Sequence, residues 1–151
     1  MEIKTLLEQR GLLIFDGAMG TQLQAKGLKT GETPELLNLT AKDLLKEIHR
    51  SYIDAGADII SANTFGANSY KLSHSGKSVD EIITAGIINC KEAITESGKD
   101  VFCALDIGPI GQLLEPTGSL KFEEAYDIFK EEIVAGYKAG ADVVPVSYTH
   151  L

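Results

Sequence analysis

Three polar side chains that could bind a ligand stand directly after short, largely apolar runs of this 151-residue sequence. The runs are residues 12–15, 58–62 and 101–105, and the residues that follow them are Asp16, Asn63 and Asp106. Runs of this kind are typical of buried parallel strands. In a barrel of alternating strands and helices, the carboxyl ends of all strands open onto one face. We therefore expect Asp16, Asn63 and Asp106 to converge on one pocket.

The turn after the first run combines a carboxylate with small residues. Asp16 is followed by Gly17, Ala18, Met19 and Gly20, and the backbone N–H groups of such a turn can approach a ligand closely. The turn suits a ligand that carries both an ammonium and a carboxylate. The alternative interpretation is that the glycines only permit a tight turn from strand to helix. The glycine spacing is not that of a dinucleotide fingerprint, and the sequence has no phosphate-binding G-x-x-x-x-G-K-[ST] motif.

The other two strand ends offer further hydrogen-bonding groups. Asn63 and Thr64 supply an amide and a hydroxyl that can donate to a ligand or accept from it, and Asp106 precedes a loop that Pro109 fixes. In the simpler alternative, these side chains only satisfy their own turns. The predicted binding residues are Asp16, Gly17, Ala18, Met19, Asn63, Thr64 and Asp106, and no metal ligand is among them.

Helical patterns fill the segments between the apolar runs. Glycines predict where four of these helices stop, at Gly11, Gly56, Gly98 and Gly140. One helix is expected to begin at Thr40, with Asp43 as its capping partner, and another at Ser78, with Glu81. Residues 27–34 are rich in Gly, Thr and Lys, which predicts a long loop.

Apolar residues at helical spacing define one face of each longer helix. They are Leu44, Leu45, Ile48 and Tyr52 before Gly56; Ile83, Ile87, Cys90 and Ile94 before Gly98; and Phe122, Tyr126, Phe129, Ile133 and Tyr137 before Gly140. Cys90 is therefore interpreted as a core residue. The three histidines, His49, His74 and His150, are interpreted as solvated surface residues.

An internal repeat supports a continuous alternation of strands and helices. Residues 52–60 resemble residues 137–144, and each segment is the end of a helix that leads into a strand. Their separation suits two strand–helix units of a (β/α)8 barrel. We therefore predict an α/β fold that is the first half of a TIM barrel, truncated in or after the fourth strand at Val143 and Val144.

Composition restricts the partners and the compartment. The chain is 44% hydrophobic and 24% charged, which fits one soluble domain. Its formal net charge of -8 opposes binding to nucleic acid or to an anionic membrane, so the expected partner is a small molecule or another protein. The first residues lack a signal sequence, which makes the cytoplasm the expected compartment. Two unpaired cysteines fit neither a disulfide scaffold nor a zinc site.

Four segments together resemble the homocysteine-binding barrel of the homocysteine S-methyltransferases. They are residues 13–21, 34–39, 57–68 and 106–109. Within this family, the Asn-Thr-Phe-Gly-Ala-Asn run from Asn63 and the stretch from Gly108 to Pro116 are most similar to the amino-terminal module of the cobalamin-dependent methionine synthases. The resemblance extends from the start of the chain to about Val144.

This resemblance implies a substrate and a reaction. The intact protein would transfer a methyl group to the thiol of homocysteine, with the substrate ammonium near Asp16 and Asp106 and its carboxylate at the N–H groups of residues 18–20. The family binds the thiol through a zinc ion held by three cysteines in the second half of its barrel. Neither Cys90 nor Cys103 matches those ligands. Zinc is therefore expected only in the full-length protein, and cobalamin and methyltetrahydrofolate would require further domains.

The resemblance also defines the expected limits of the chain. Residues 1–144 correspond to the amino-terminal half of the barrel, whereas residues 145–151 depart from the family and are expected to be a non-native tail. Without the carboxyl-terminal half of the barrel, the fragment is expected to be inactive. The alternatives are another barrel enzyme, such as an aldolase or isomerase acting on a phosphorylated substrate, and a non-catalytic module that binds a metabolite.

Overall fold

The structure, a computed structural model, describes residues 2–145 as helices that alternate with short strands. The helices are Ile3–Arg10 (α1), Met19–Ala25 (α2), Leu37–Thr40 (α3), Lys42–Ala55 (α4), Val79–Ser97 (α5) and Phe122–Ala139 (α6). The strands are Ile59–Ser61 (β1) and Phe102–Ala104 (β2), and a 3-10 turn at Pro34–Leu36 precedes α3. None of the helices in the described part of the chain is both long enough and apolar enough to cross a lipid bilayer.

The strands are parallel and follow one another in chain order. Ile59 of β1 lies opposite Phe102 of β2. Single parallel bridges add Phe15 beside Ile59 on one side and Val143 beside Ala104 on the other. The three apolar runs and the fourth strand at Val143 therefore lie side by side, as consecutive strands of a (β/α) barrel do. The predicted α/β fold with parallel strands is confirmed.

The first apolar run is more exposed than its composition predicts. Leu12, Ile14 and Phe15 are 61%, 54% and 44% exposed. This run lies at the edge of the described sheet, where Phe15 forms a single bridge with Ile59 and the Ile14 carbonyl accepts a hydrogen bond from the Ile59 N–H at 3.1 Å. The prediction that it forms a buried strand is therefore wrong, because nothing in residues 2–145 covers its outer side.

The internal sequence repeat corresponds to a repeated contact between neighbouring strands. Asp58, just before β1, accepts a hydrogen bond from the Ile14 N–H at 2.9 Å. Asp142 accepts one from the Cys103 N–H at 2.7 Å. Each of these carboxylates also pairs with a basic side chain of an earlier helix. The repeat therefore marks two equivalent junctions, where an aspartate satisfies a backbone donor of the preceding strand.

The predicted helix ends are confirmed, whereas one predicted helix start is wrong. All four predicted glycines cap their helices with φ between 65° and 102°. The Ser78 hydroxyl accepts a hydrogen bond from the Glu81 N–H at 3.1 Å, as expected for a cap. The other predicted start differs: α4 begins at Lys42, and Thr40 is instead the last residue of α3, where its hydroxyl donates to the Leu36 carbonyl of the 3-10 turn at 3.3 Å.

The hydrophobic core lies between the sheet and α5. The buried residues of α5 include Ile83, Ile87 and Cys90, and they share one cluster with Ile60 and Cys103 of the strands. Cys90 is thus a core residue, as predicted. A smaller cluster joins α2 to α4 through Leu23, Leu45 and Ile48.

His49 also lies in the core, so the prediction of a solvated surface histidine is wrong for this residue. Its side chain is fully buried, and neither ring nitrogen has a hydrogen-bond partner within residues 2–145. It lies between Leu45 and Ile53 on the buried face of α4. Burial lowers the pKa of His49 to about 4, so the ring is neutral at pH 7. His74 is exposed, as predicted, and His150 lies outside the described residues.

Of the aromatic residues of α6, Phe129 packs against the core, whereas those at the two ends of the helix are exposed. Phe122 and Tyr137 are 70% and 81% exposed. Small residues form most of the buried face instead, at Ala125, Ala135 and Gly136. Leu105 packs so closely on Gly136 that a Cβ there would lie 2.5 Å from the Leu105 Cδ2. The small residues therefore bring α6 close to the sheet, while Phe122, Tyr126 and Tyr137 stay exposed.

Candidate functional site

A cavity of about 520 Å³ opens at the carboxyl ends of the strands. Five of the seven predicted binding residues line it, namely Asp16, Gly17, Ala18, Met19 and Asp106. The remaining wall residues are Phe15, Ser61 and Pro145, none of which was predicted. The first and third strand ends therefore converge on one cavity, with the end of β1 between them.

Ser61 holds the Asp16 carboxylate at both oxygens. The Ser61 N–H donates to Oδ2 at 2.9 Å, and the Ser61 hydroxyl donates to Oδ1 at 3.0 Å. Burial raises the pKa of Asp16, and the two hydrogen bonds from Ser61 oppose that rise. Ser61 could have been noticed in the sequence as a polar residue within an otherwise apolar strand end.

Asp106 is fixed through its backbone and not through its carboxylate. The Thr64 hydroxyl donates to the Asp106 carbonyl at 2.8 Å and accepts from the Asp106 N–H at 3.1 Å. Within residues 2–145, no group donates a hydrogen bond to the carboxylate itself. Burial raises the pKa of Asp106 to about 6, and the negative charges of Asp16 and Glu35 contribute to the rise.

The structure does not bring Asn63 and Thr64 to the cavity wall. Thr64 is fully buried, behind the Asp106 backbone that it holds. The Asn63 amide donates to the Pro34 carbonyl at 2.8 Å and to the Asn38 Oδ1 at 3.0 Å. Both side chains therefore support the loops around the site, and their contact with a ligand stays a prediction.

Tyr52 of α4 supports the turn that follows Asp16. Its hydroxyl donates to the Ala18 carbonyl at 3.0 Å. Its ring packs against Gly17, where a Cβ would lie 2.9 Å from the Tyr52 Cε1. Glycine is required here because of this close approach. The turn leads directly into α2, which begins at Met19.

Glu35 is a third acidic residue near the site, and the sequence did not identify it as functional. It is 5% exposed and accepts a hydrogen bond from the Gly66 N–H at 2.6 Å. Its charge acts on Asp106 together with that of Asp16. With three acidic side chains close together, the site favours a cationic ligand group such as an ammonium.

Gly108→Ala is expected to destabilise the fold by about 1 to 3 kcal/mol, the usual cost of overpacking. Gly108 follows Asp106 by two residues, and its N–H donates to the Phe65 carbonyl at 3.0 Å. A Cβ on Gly108 would lie 2.4 Å from that same oxygen. Because the obstacle is backbone, the loop itself must move. Urea denaturation of the purified variant measures the effect.

Gly20→Ala is the matched control for Gly108→Ala. Gly20 lies in the first turn of α2, and a Cβ there meets no atom within 4 Å. Alanine favours the helix over glycine by up to about 1 kcal/mol, so this variant should be as stable as wild type or more stable. Equal stability of Gly108→Ala and wild type would contradict the described loop packing.

The residues of the described chain do not fit a zinc site. No group of three or more His, Cys, Asp or Glu side chains within residues 2–145 is arranged to hold a metal ion. Cys90 and Cys103 are both buried in the core. Burial raises the pKa of the Cys90 thiol well above its usual range, and the neighbouring Cys103 adds to the rise. Such an environment opposes the thiolate that zinc requires.

Comparison of the sequence with known families and proteins gives consistent matches. The sequence profile described as homocysteine S-methyltransferase matches residues 13–149. A methionine synthase from Mycobacterium tuberculosis is 30% identical over 156 residues, covering 96% of this chain and 13% of that protein. A methionine synthase from Mycobacterium leprae is 31% identical over 151 residues, covering 93% of this chain and 12% of that protein.

Comparison of the fold with solved structures gives the homocysteine methyltransferase MmuM from Escherichia coli. Its oxidized form matches with a TM-score of 0.81 at 20% identity, over 94% of this chain and 55% of that chain. Its apo form matches with a TM-score of 0.68 at 23% identity, over 94% of this chain and 50% of that chain. The chain therefore has the fold of about half of that structure.

Proposed function

Because this chain belongs to the homocysteine S-methyltransferase family, we propose that the protein containing it transfers a methyl group to the sulfur of homocysteine and forms methionine. The observation that carries the proposal is the cavity lined by Asp16, Asp106 and the turn between Asp16 and α2. The chain spans 13% and 12% of the length of the two methionine synthases that it matches. The activity is therefore proposed for the whole protein.

The described residues would bind the amino-acid end of homocysteine. Its ammonium would pair with the carboxylates of Asp16 and Asp106, as a charge-assisted hydrogen bond. Its carboxylate would accept hydrogen bonds from backbone N–H groups of the turn at residues 18–20. A cavity of about 520 Å³ is large enough for a small amino acid. Asn63 and Thr64 would act indirectly, by fixing the loops that carry the binding groups.

The chemistry at sulfur would be supplied from outside this chain. In the proposed reaction, the sulfur forms a bond to the methyl carbon and loses its proton, while the donor loses the methyl group. The described cysteines do not fit zinc, so we assign thiol activation, with zinc, to the half of the family's barrel that this chain does not span. Methyltetrahydrofolate as the donor, with cobalamin, would need further domains, whereas betaine or S-methylmethionine would need none.

Three expectations from the sequence stay predictions. They are the cytoplasmic location, the absence of nucleic-acid and membrane partners, and the assignment of residues 145–151 to a non-native tail. Of that tail, Pro145 lies at the cavity wall, and residues 146–151 lie outside the described residues.

The family and its relatives favour this proposal over the alternatives. An aldolase or isomerase acting on a phosphorylated substrate would require cationic groups, whereas Asp16 and Asp106 would repel a phosphate in this cavity. A non-catalytic metabolite-binding module would use the same cavity, and a direct assay of methyl transfer separates it from an enzyme.

Homocysteine analogues test the proposed function in the intact protein. Titration calorimetry should show that L-homocysteine binds at least about 10-fold more tightly than 4-mercaptobutyrate, which lacks the ammonium, or 3-aminopropanethiol, which lacks the carboxylate. Methyl transfer to homocysteine is then assayed with methyltetrahydrofolate, betaine and S-methylmethionine as donors. Equal binding of 4-mercaptobutyrate would contradict the role of the carboxylates. Absence of methyl transfer from every donor would overturn the proposed activity.

A further inference from the structure

The two aspartates of the cavity are held in different ways. Asp16 accepts hydrogen bonds from Ser61 at both carboxylate oxygens, at 2.9 and 3.0 Å. Asp106 makes hydrogen bonds only through its backbone: its carbonyl accepts from the Thr64 hydroxyl, its N–H donates to that hydroxyl, and no group within residues 2–145 donates to its carboxylate. The serine thus distinguishes two side chains that are chemically identical.

This difference determines which aspartate stays ionised when no ligand is bound. Hydrogen bonds donated to a carboxylate stabilise its ionised form, whereas burial and nearby negative charge favour the protonated form. When two acids interact, the first proton leaves mainly from the one whose anion is better stabilised. Here that acid is Asp16, because Ser61 donates to it.

The charged groups around the pair reinforce the difference. Burial raises the pKa of Asp106 to about 6, and the negative charges of Asp16 and Glu35 add to this rise. Asp16 interacts with the buried Cys90 thiol, which is neutral because burial raises its pKa. No basic side chain lines the cavity within the described chain. Near pH 6, the Asp106 carboxylate therefore binds a proton until the ammonium of a ligand replaces it.

We propose that Ser61 is a positioning residue that gives the two carboxylates different roles. Its hydrogen bonds keep Asp16 ionised, whereas Asp106, which lacks them, releases its proton when the substrate ammonium binds. The proposal rests on the proposed function, since it concerns the same cavity. On binding, the neutral Asp106 acid releases its proton to solvent, and the carboxylate that remains accepts a hydrogen bond from the ammonium. No other bond changes.

Proton release on binding tests this proposal in the intact protein. The probe is L-2-aminobutyrate, which carries the ammonium and the carboxylate of homocysteine but no thiol that could release a proton. Titration calorimetry counts the released protons by comparing phosphate with bis-tris at pH 6 and HEPES with Tris at pH 8, since the buffers of each pair differ in ionisation enthalpy. Wild type is expected to release about half a proton per ligand at pH 6 and almost none at pH 8. Asp106→Asn is expected to abolish the release at pH 6.

Ser61 variants test the assigned role of the serine. Ser61→Ala keeps the backbone donor but removes the hydroxyl, so affinity should fall roughly 3- to 10-fold at pH 7. More protons should be released than in wild type at pH 6 to 7, because Asp16 is then partly protonated as well. Ser61→Thr keeps a hydroxyl and should restore both values. A merely structural role would lower affinity without a change in the proton count.

The outcomes separate this inference from the proposed function. If Asp16→Asn loses affinity while Ser61→Ala keeps the wild-type affinity and proton count, the role of Ser61 is wrong and the binding site stands. Proton release that persists in Asp106→Asn also overturns the inference, and this measurement does not depend on the folding of any Ser61 variant. If wild type does not bind L-2-aminobutyrate or L-homocysteine, both the inference and the proposed function fail.

Discussion

Asp16→Asn is expected to weaken binding of homocysteine to the intact protein by roughly 10- to 150-fold, the equivalent of about 1.5 to 3 kcal/mol for a lost charge-assisted hydrogen bond. Asp16 lines the cavity, and Ser61 keeps its carboxylate in place. The amide has nearly the same size but no charge, so the change isolates the electrostatic contribution. Titration calorimetry at pH 7 measures the affinity.

Asp100→Asn is the control for Asp16→Asn. Asp100 is exposed and precedes β2, so it lies at the opposite ends of the strands from the cavity. The same change of charge there should leave the affinity for homocysteine unchanged. Equal affinity of Asp16→Asn and wild type would remove Asp16 from the binding site.

Glu132→Gln is expected to stabilise the fold by about 2 to 4 kcal/mol at pH 8. Glu132 of α6 is fully buried, and neither carboxylate oxygen has a hydrogen-bond partner within residues 2–145. Burial raises the pKa of Glu132 to about 8, although the nearby charge of Lys71 opposes the rise. A pKa above the unfolded value means that the folded state binds the proton more tightly. The stability that protonation of Glu132 gives to the fold is therefore fully present below about pH 4.5 and is lost as the pH rises through 8.

The window between pH 6.5 and 8 isolates the effect of Glu132. Asp106 also has a raised pKa, but its stabilising effect is already lost as the pH rises through about 6. His49 has a lowered pKa of about 4, so it adds stability as the pH rises to about 6.5 and not beyond. Between pH 6.5 and 8, the large pKa shift that changes the stability of the described chain is therefore that of Glu132.

Urea denaturation at pH 6.5 and 8 measures the effect of Glu132. Wild type should lose about 1 to 2 kcal/mol across this window, and Glu132→Gln should not. Glu123→Gln is the matched control, because Glu123 is an exposed residue in the first turn of the same helix and does not act on the pKa of Glu132. It should keep the wild-type decline. A wild type that is equally stable at both pH values would contradict a buried, unpartnered Glu132.

The convergence of Asp16 and Asp106 could be predicted from the sequence because the information is local. Each residue follows an apolar run, and parallel strands bring their carboxyl ends to one face. The roles of Ser61 and Glu35 could not be predicted in this way. They depend on contacts between segments distant in the chain, such as the hydrogen bonds from Ser61 to Asp16, which the strand register determines.

The errors in the predicted surface have a common physical origin. Helical spacing identifies which residues share a face, but not what that face contacts. On α6 the small residues Ala125 and Gly136 allow a close approach to the sheet, although they carry little hydrophobic signal. On α4 the charged neighbours of His49 obscured its position between Leu45 and Ile53 on the buried face.

The order of the strands also bears on how the chain reaches this structure. Each apolar run pairs with the run that comes next in the sequence, from Phe15 with Ile59 to Ala104 with Val143. No described strand pairs with a segment other than its neighbours in the sequence. The entropic cost of bringing two segments together grows with the length of chain between them, so each of these pairings costs less than one between strands that are not consecutive. The described sheet is therefore built from the shortest connections that its parallel strands allow.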